Sequence, residues 1–142
     1  MENEFNFLNN VTAEEIQTLS PLVLAYIGDA YFHLYVRTRL LKFSHKINKL
    51  HCLSAEIVSA VSQAEAYKKI EPNLTDEEKN FFRRGRNAKS HAPKNSTVAE
   101  YHASTGFETL LGELFLQKKF SRLDEICKMA FEECMSDNAV NI

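Results

Sequence analysis

Asp29 and Glu108 are acids in places where the surrounding residues should exclude them. Asp29 lies within Leu22 to Arg39, a stretch that is almost wholly apolar, and Glu108 sits among Phe107, Leu110, Leu111, Leu114, Phe115 and Leu116. Burying an isolated carboxylate costs several kcal/mol unless it is paired, protonated or bound to a cation. Glycines stand beside both acids: Gly28 precedes Asp29, and Gly106 and Gly112 flank Glu108. A glycine inside a helix costs about 0.5 to 1 kcal/mol, so close backbone packing next to each acid is the compensation to expect. Asp29 taken alone has a simpler reading, an ion pair with His33 one turn on or with Arg37 two turns on. Two acids on facing helices would both remain ionised only beside a cation. Magnesium suits that position, because it takes oxygen ligands, keeps several waters and commonly uses one or two carboxylates plus substrate phosphate oxygens. There it can generate hydroxide and stabilise the leaving oxygen of a phosphodiester.

Other chemistries find less support. The chain has no GxSxG elbow, no P-loop and no HExxH motif, and His33, His45, His51, His91 and His102 form no metal-binding pattern. They read as surface or loop residues, with His51 near enough to a basic stretch to touch phosphate. Cys52, Cys127 and Cys134 are an odd count with no CxxC pair. That argues against a disulfide framework or a structural zinc, and for packing residues in a reducing compartment.

Net charge is only −2, but the charges are unevenly distributed. No Asp or Glu occurs from Ala30 to Ala55, where Arg37, Arg39, Lys42, Lys46 and Lys49 accumulate; a second acid-free stretch, Lys79 to Ala99, carries Arg83, Arg84, Arg86, Lys89 and Lys94. The segment from Phe120 reverses the sign with Asp124, Glu125, Glu132, Glu133 and Asp137. Any one such run is commonly a solvated face, yet two in a small chain point toward a polyanion. The first residues carry no basic leader, and no run of about 18 apolar residues offers a membrane span, so a cytoplasmic location is expected.

These residues must be positioned by helices. Of 142 residues, 44% are hydrophobic and only four are Gly and three Pro, which fits one all-α domain spanning 1–142 with a core over about 20–131 and six to seven helices. Thr12 with Glu15, Thr75 with Glu78 and Thr97 with Glu100 have capping-box spacing. Ser20 followed by Pro21 opens the apolar helix that carries Asp29 and that is expected to be central. A third helix reads from Ile47 to Ile70, with Leu50, Leu53, Ile57, Val58, Val61 and Ala64 on one face, and is stopped by Pro72. A short helix over Phe81 and Phe82 ends at Gly85 in a left-handed turn. The only substantial loop, RNAKSHAPKNS from Arg86 to Ser96, precedes a helix running to Lys118 with a break near Gly106. Ser121 caps a last helix to Met135.

The segments around the two acids resemble the ribonuclease III catalytic domain. YIGDA, Tyr26 to Ala30, is similar to that family's FLGDA signature, and FETLLGELFL, Phe107 to Leu116, to its second acidic helix, FEALIGAIYL. RRGRNAKSHAPKN, Arg83 to Asn95, resembles the basic loop of the Mini-III subgroup, KRGRNAKS followed by PKN, and VSAVSQAEA, Val58 to Ala66, adds a fourth similarity. The likeness runs from about Ser20 to Phe131. It departs from the longer ribonuclease III enzymes at Leu22, Ala25 and Thr105, where those enzymes carry further acids and Mini-III proteins do not.

The resemblance implies a helical homodimer that cleaves double-stranded RNA in a shared groove at two magnesium sites, leaving short 3′ overhangs. Asp29 and Glu108 would be the catalytic, metal-holding residues. The implied substrate is precursor large-subunit (23S) ribosomal RNA, and a ribosomal protein that presents it is a candidate partner. A non-catalytic RNA-binding or ribosome-assembly factor of the same fold is the alternative, and a helical domain docking an acidic protein is a third. With only residues 132–142 after Phe131, no double-stranded-RNA-binding domain is expected there. The chain must then grip phosphates and 2′-hydroxyls itself. Arg83, Arg84, Arg86, Lys89 and Lys94 are the candidate phosphate ligands, and Asn87, Ser90 and Asn95 the candidate hydroxyl contacts.

Overall fold

The computed structural model describes residues 5–94 and 96–137. Seven α-helices and no strand occur among them: α1 (Ala13–Thr18), α2 (Pro21–Leu40), α3 (Ile47–Ile57), α4 (Ala60–Ile70), α5 (Asp76–Arg86), α6 (Val98–Leu116) and α7 (Phe120–Asp137). The starts follow local chemistry. Thr12, Thr75 and Thr97 each accept the backbone N–H three residues on, while Glu15, Glu78 and Glu100 reach back to the cap N–H. Ser20 caps α2 with Pro21 in the first turn.

The central helix is α6, not α2. From Ser104 to Leu116 every α6 residue except Glu108 is buried, and α2, α4, α5 and α7 all pack on it. Helix α2 buries Leu24, Gly28, Phe32, Val36 and Leu40 along one stripe but leaves Leu22, Val23, Tyr26 and Leu34 in solvent. Its apolar sequence therefore does not mean burial all round, since more than one apolar face is present and only one meets α6. Leu8 and Ile16 before α2, and Cys127 and Cys134 on α7, are also part of the core, whereas Cys52 is exposed.

All four glycines serve helix crossings. A methyl group on Gly28 would collide with the Glu108 carbonyl, one on Gly112 with the Leu24 carbonyl, one on Gly85 with Thr109, and one on Gly106 with Phe82. So α6 runs without a break at Gly106, and Gly85 lies inside α5 and ends nothing. Among the described residues the left-handed one is Lys118, φ 61°. It closes α6 as Lys119 N–H bonds the Leu114 carbonyl at 2.9 Å and Lys118 N–H that of Phe115 at 3.0 Å. The last helix begins at Phe120, just ahead of Ser121.

The expected single helix from Ile47 to Ile70 is two helices. Ser59 adopts an extended conformation and caps α4 through Ser62 N–H, 3.2 Å. The freed carbonyls at the end of α3 are taken by Ser62 Oγ, which donates to Glu56 O at 2.8 Å, and by Gln63 Nε2, which donates to Val58 O at 2.9 Å. The kink turns Val61 outward and sends Gln63 inward, so apolar periodicity continued across a boundary that two side-chain donors make.

Candidate active site

The α2–α6 crossing decides where the acids meet. Because Gly28 lets the α2 backbone touch the Glu108 carbonyl, the residues next in line, Asp29 and Glu108, open on the same cleft of about 380 Å³. Their carboxyl groups are in hydrogen-bonding contact. Glu108 is held far above the usual carboxylate range, first by burial, then by that hydrogen bond and by the charge of Asp29; the hydrogen bond from Gln63 acts in the other direction.

Asp29 is not the buried carboxylate that its apolar neighbours suggested. Its side chain is 51% exposed, at the border between the α6-packed stripe and the open face of α2. His33 Nε2 lies 3.1 Å from Asp29 Oδ1. The one-turn pairing of Asp29 with His33 considered from the sequence is thus present as a close contact, beside the contact to Glu108. Arg37 takes no part, since it lines a separate groove with Leu41, Ile47, Leu50 and His51.

The rest of the cleft is nearly neutral. Leu22, Ala25 and Tyr26 come from α2, Val58 and Ala60 from the α3–α4 kink, and Ser104 and Thr105 from α6, both hydroxyls donating to the Tyr101 carbonyl. Among the described residues no cluster of three or more His, Cys, Asp or Glu could hold a metal. The donor set is therefore two carboxylates and no nitrogen or sulfur ligand in the cleft lining. It fits a hard cation that keeps most of its coordination for water and phosphate oxygens, and does not fit zinc.

The predicted basic residues separate into groups. Arg86, Asn87, Lys89 and Ser90 gather with His91 and His102 around a second pocket, with Arg86 above the Phe82 ring at 5.8 Å and bonded to Asn87 Oδ1 at 3.3 Å. Pro93 and Tyr101 line the acid-bearing cleft, while their near neighbours His91 and His102 line this pocket, so one loop borders both. Arg83 is exposed and held by Asn80, and Lys94 is exposed in the turn. Arg84, also exposed, lies near enough for its charge to act on buried Glu113, opposing the upward push of burial on that carboxyl. Asn95 lies outside the described residues. His51 is exposed and does not line the acid cleft.

Sequence reading missed Gln63 and Tyr101, and read as a surface or loop residue His102, which is half-buried on α6 and lines the loop pocket. A buried glutamine between two alanine-rich turns was a signal in principle, but nothing in its spacing tied it to Glu108, 45 residues away.

Comparison with known proteins shows the family. A profile described as the Ribonuclease III domain matches residues 22–119, from α2 through the turn after α6. The chain is 44% identical over 131 residues to the Mini-ribonuclease 3 of Thermoanaerobacter sp. (strain X514), covering 89% of this chain and 92% of the relative. It is 47% identical to that of Symbiobacterium thermophilum, with 80% and 88% covered, and 44% identical to that of Staphylococcus aureus, with 84% and 92% covered. A crystallised protein of Fusobacterium nucleatum superposes with a TM-score of 0.75 at 33% identity, covering 83% of this chain and 96% of that one. An all-helical bundle with paired acids on the α2–α6 crossing defines an endoribonuclease of the ribonuclease III class. The chain belongs to the Mini-ribonuclease 3 branch of that family.

Proposed function

We propose that this enzyme hydrolyses double-stranded RNA with magnesium held by Asp29 and Glu108, acting on precursor large-subunit ribosomal RNA in the cytoplasm. One observation carries the reading: two carboxyls in contact on a cleft whose bordering loop also builds the Arg86–Lys89–His102 pocket. Magnesium at such a site supplies a polarised nucleophile and neutralises charge on the phosphate. Asp29 and Glu108 would orient it, Arg86 and Lys89 would hold the flanking phosphates, and Asn87 would reach the 2′-hydroxyls of a minor groove, whereas the Ser90 hydroxyl is enclosed. The ribosomal substrate rests on the similarity to Mini-ribonuclease 3 proteins alone.

The homodimer is supported by the exposed stripe Leu22, Val23, Tyr26 and Leu34 on α2. Tyr26 is 77% exposed and borders the acid cleft, so a second copy seated there would bring the two clefts into one groove. The non-catalytic alternative leaves unexplained why both acids are kept in contact at the cost of a displaced ionisation.

The deciding test incubates the protein with long duplex RNA, single-stranded RNA and duplex DNA, with magnesium or with chelator. Cutting of duplex RNA alone, only with metal, is expected. Asp29→Asn and Glu108→Gln should each lower that rate on the order of 10³-fold, the effect of losing several kcal/mol of charge stabilisation, while duplex binding persists. Binding without cutting by the unaltered chain would establish the alternative.

A further inference from the structure

Gln63 is the least exposed polar side chain in the cleft wall, at 1%. Its Nε2 donates to Val58 O at 2.9 Å and to Glu108 Oε2 at 3.3 Å. A main-chain carbonyl can only accept, so the Val58 contact fixes which end of the amide is nitrogen and hence which end meets Glu108. The other end is left over: Gln63 Oε1 is enclosed with no hydrogen-bond partner. A buried amide with half of its bonding unmet is costly, and an apolar side chain of the same length would avoid that cost. What such an amide gains must come from what its nitrogen does: it bonds Val58 O and Glu108.

The chemistry of the cleft says what that is. Leu22, Ala25 and Thr105 line it where an acid could otherwise help to fix Glu108 or the ion. A lysine or arginine could fix a carboxylate too, but it would cancel the negative charge and repel a cation. A glutamine anchored on the α3–α4 kink orients Glu108 and leaves its charge intact. We propose that Gln63 is the positioning residue for Glu108: pinned by Val58, it holds one carboxylate oxygen so that the group is presented toward Asp29 in the orientation a divalent ion requires. This rests on the metal-dependent reading above.

The test compares the full chain with Gln63→Met, nearly the same shape without the donor, and Gln63→Asn, which keeps the amide but is one methylene too short to meet both partners. Three quantities are read: Mn²⁺ affinity by calorimetry without RNA, kcat and KM on duplex RNA across a magnesium titration, and melting temperature. Residues that orient a metal ligand typically carry about 10- to 100-fold in affinity or activity. A loss of that size is expected in Mn²⁺ affinity and in kcat at fixed magnesium, with kcat partly recovered at high magnesium, KM for RNA unchanged and melting within a few degrees. In a Glu108→Gln background, Gln63→Met should produce no further loss of Mn²⁺ affinity. Unchanged Mn²⁺ affinity in both variants, or a fall that adds fully to that of Glu108→Gln, would overturn the role. If Gln63→Met does not fold, Gln63→Asn and the Glu108→Gln cycle built on it decide. Failure of the unaltered enzyme to need metal sinks the parent reading, whereas an active, metal-dependent enzyme indifferent to residue 63 sinks only this proposal.

Discussion

Gly28 and Glu108 touch through their backbones: the Glu108 carbonyl occupies the space that any side chain at position 28 would need. The reciprocal contact, Gly112 against the Leu24 carbonyl one turn away, locks α2 to α6 at a fixed depth. That depth sets the separation of the two acids.

Gly28→Ala should therefore be more damaging than its single methyl group suggests. The obstruction is backbone, which cannot swing aside, so destabilisation should reach at least the ~3 kcal/mol end of ordinary overpacking. Denaturant unfolding measures it. A variant with wild-type stability would show that α2 can slide along α6, and the fixed depth would have no energetic basis.

Glu108→Gln should remove cutting without removing stability. Burial and Asp29 already hold the Glu108 carboxyl far above its usual range, so it is protonated at neutral pH when no cation is present, and an amide is close to that state in shape and charge. The melting temperature without metal should stay level or rise. A large drop would mean that the ionised glutamate contributes to the fold.

Arg86 and Lys89 replaced together by alanine should weaken duplex binding and lower its dependence on salt by roughly one phosphate contact each. Arg84→Ala should change the salt slope less, since its charge serves Glu113. Competition binding at several salt concentrations separates these, and equal slopes for the two variants would move the RNA surface away from the loop pocket.

Acid should unfold the chain partly through Glu78. Arg122 donates Nε to Glu78 Oε2 at 2.8 Å and Nη2 to Oε1 at 2.9 Å, and Nη2 also reaches Asn73 O at 2.8 Å. These bonds hold the Glu78 carboxyl below its ordinary value, foremost the one from Arg122, with burial opposing and the Thr75 backbone assisting. A depressed native pKa contributes stability above the unfolded-state value and loses it as pH falls through the native one, so melting should decline below about pH 4.5. Arg122→Met leaves a buried acid unpaired and should cost about 3 kcal/mol at neutral pH. With the foremost cause of the lowered value gone, this variant should lose less stability than the parent as pH falls below about 4.5. A parallel decline in both proteins would remove the pair from the acid response.

Tyr26→Asp should convert a dimer to a monomer at micromolar concentration in sedimentation, because it places a charge in the middle of the exposed α2 stripe. A monomeric parent chain would instead leave that stripe without the partner assigned to it.

Helix starts were written locally, since Thr12, Thr75, Thr97 and Ser20 each act on a backbone N–H three residues away and depend on nothing distant. The two acids were legible too, because a carboxylate amid leucines is anomalous before any fold is known. Tertiary structure alone decided the rest. Asp29 proved half-exposed because α2 offers two apolar faces and α6 covers only one. The glycines had no turns to make, being consumed where backbones cross, and Lys118 took the left-handed turn. Gln63 gained its meaning only when the kink at Ser59 carried it to Glu108. A sequence specifies what each residue can do within a turn of itself; which residues then meet depends on how deeply whole helices settle into one another, and that is a property of the packed core.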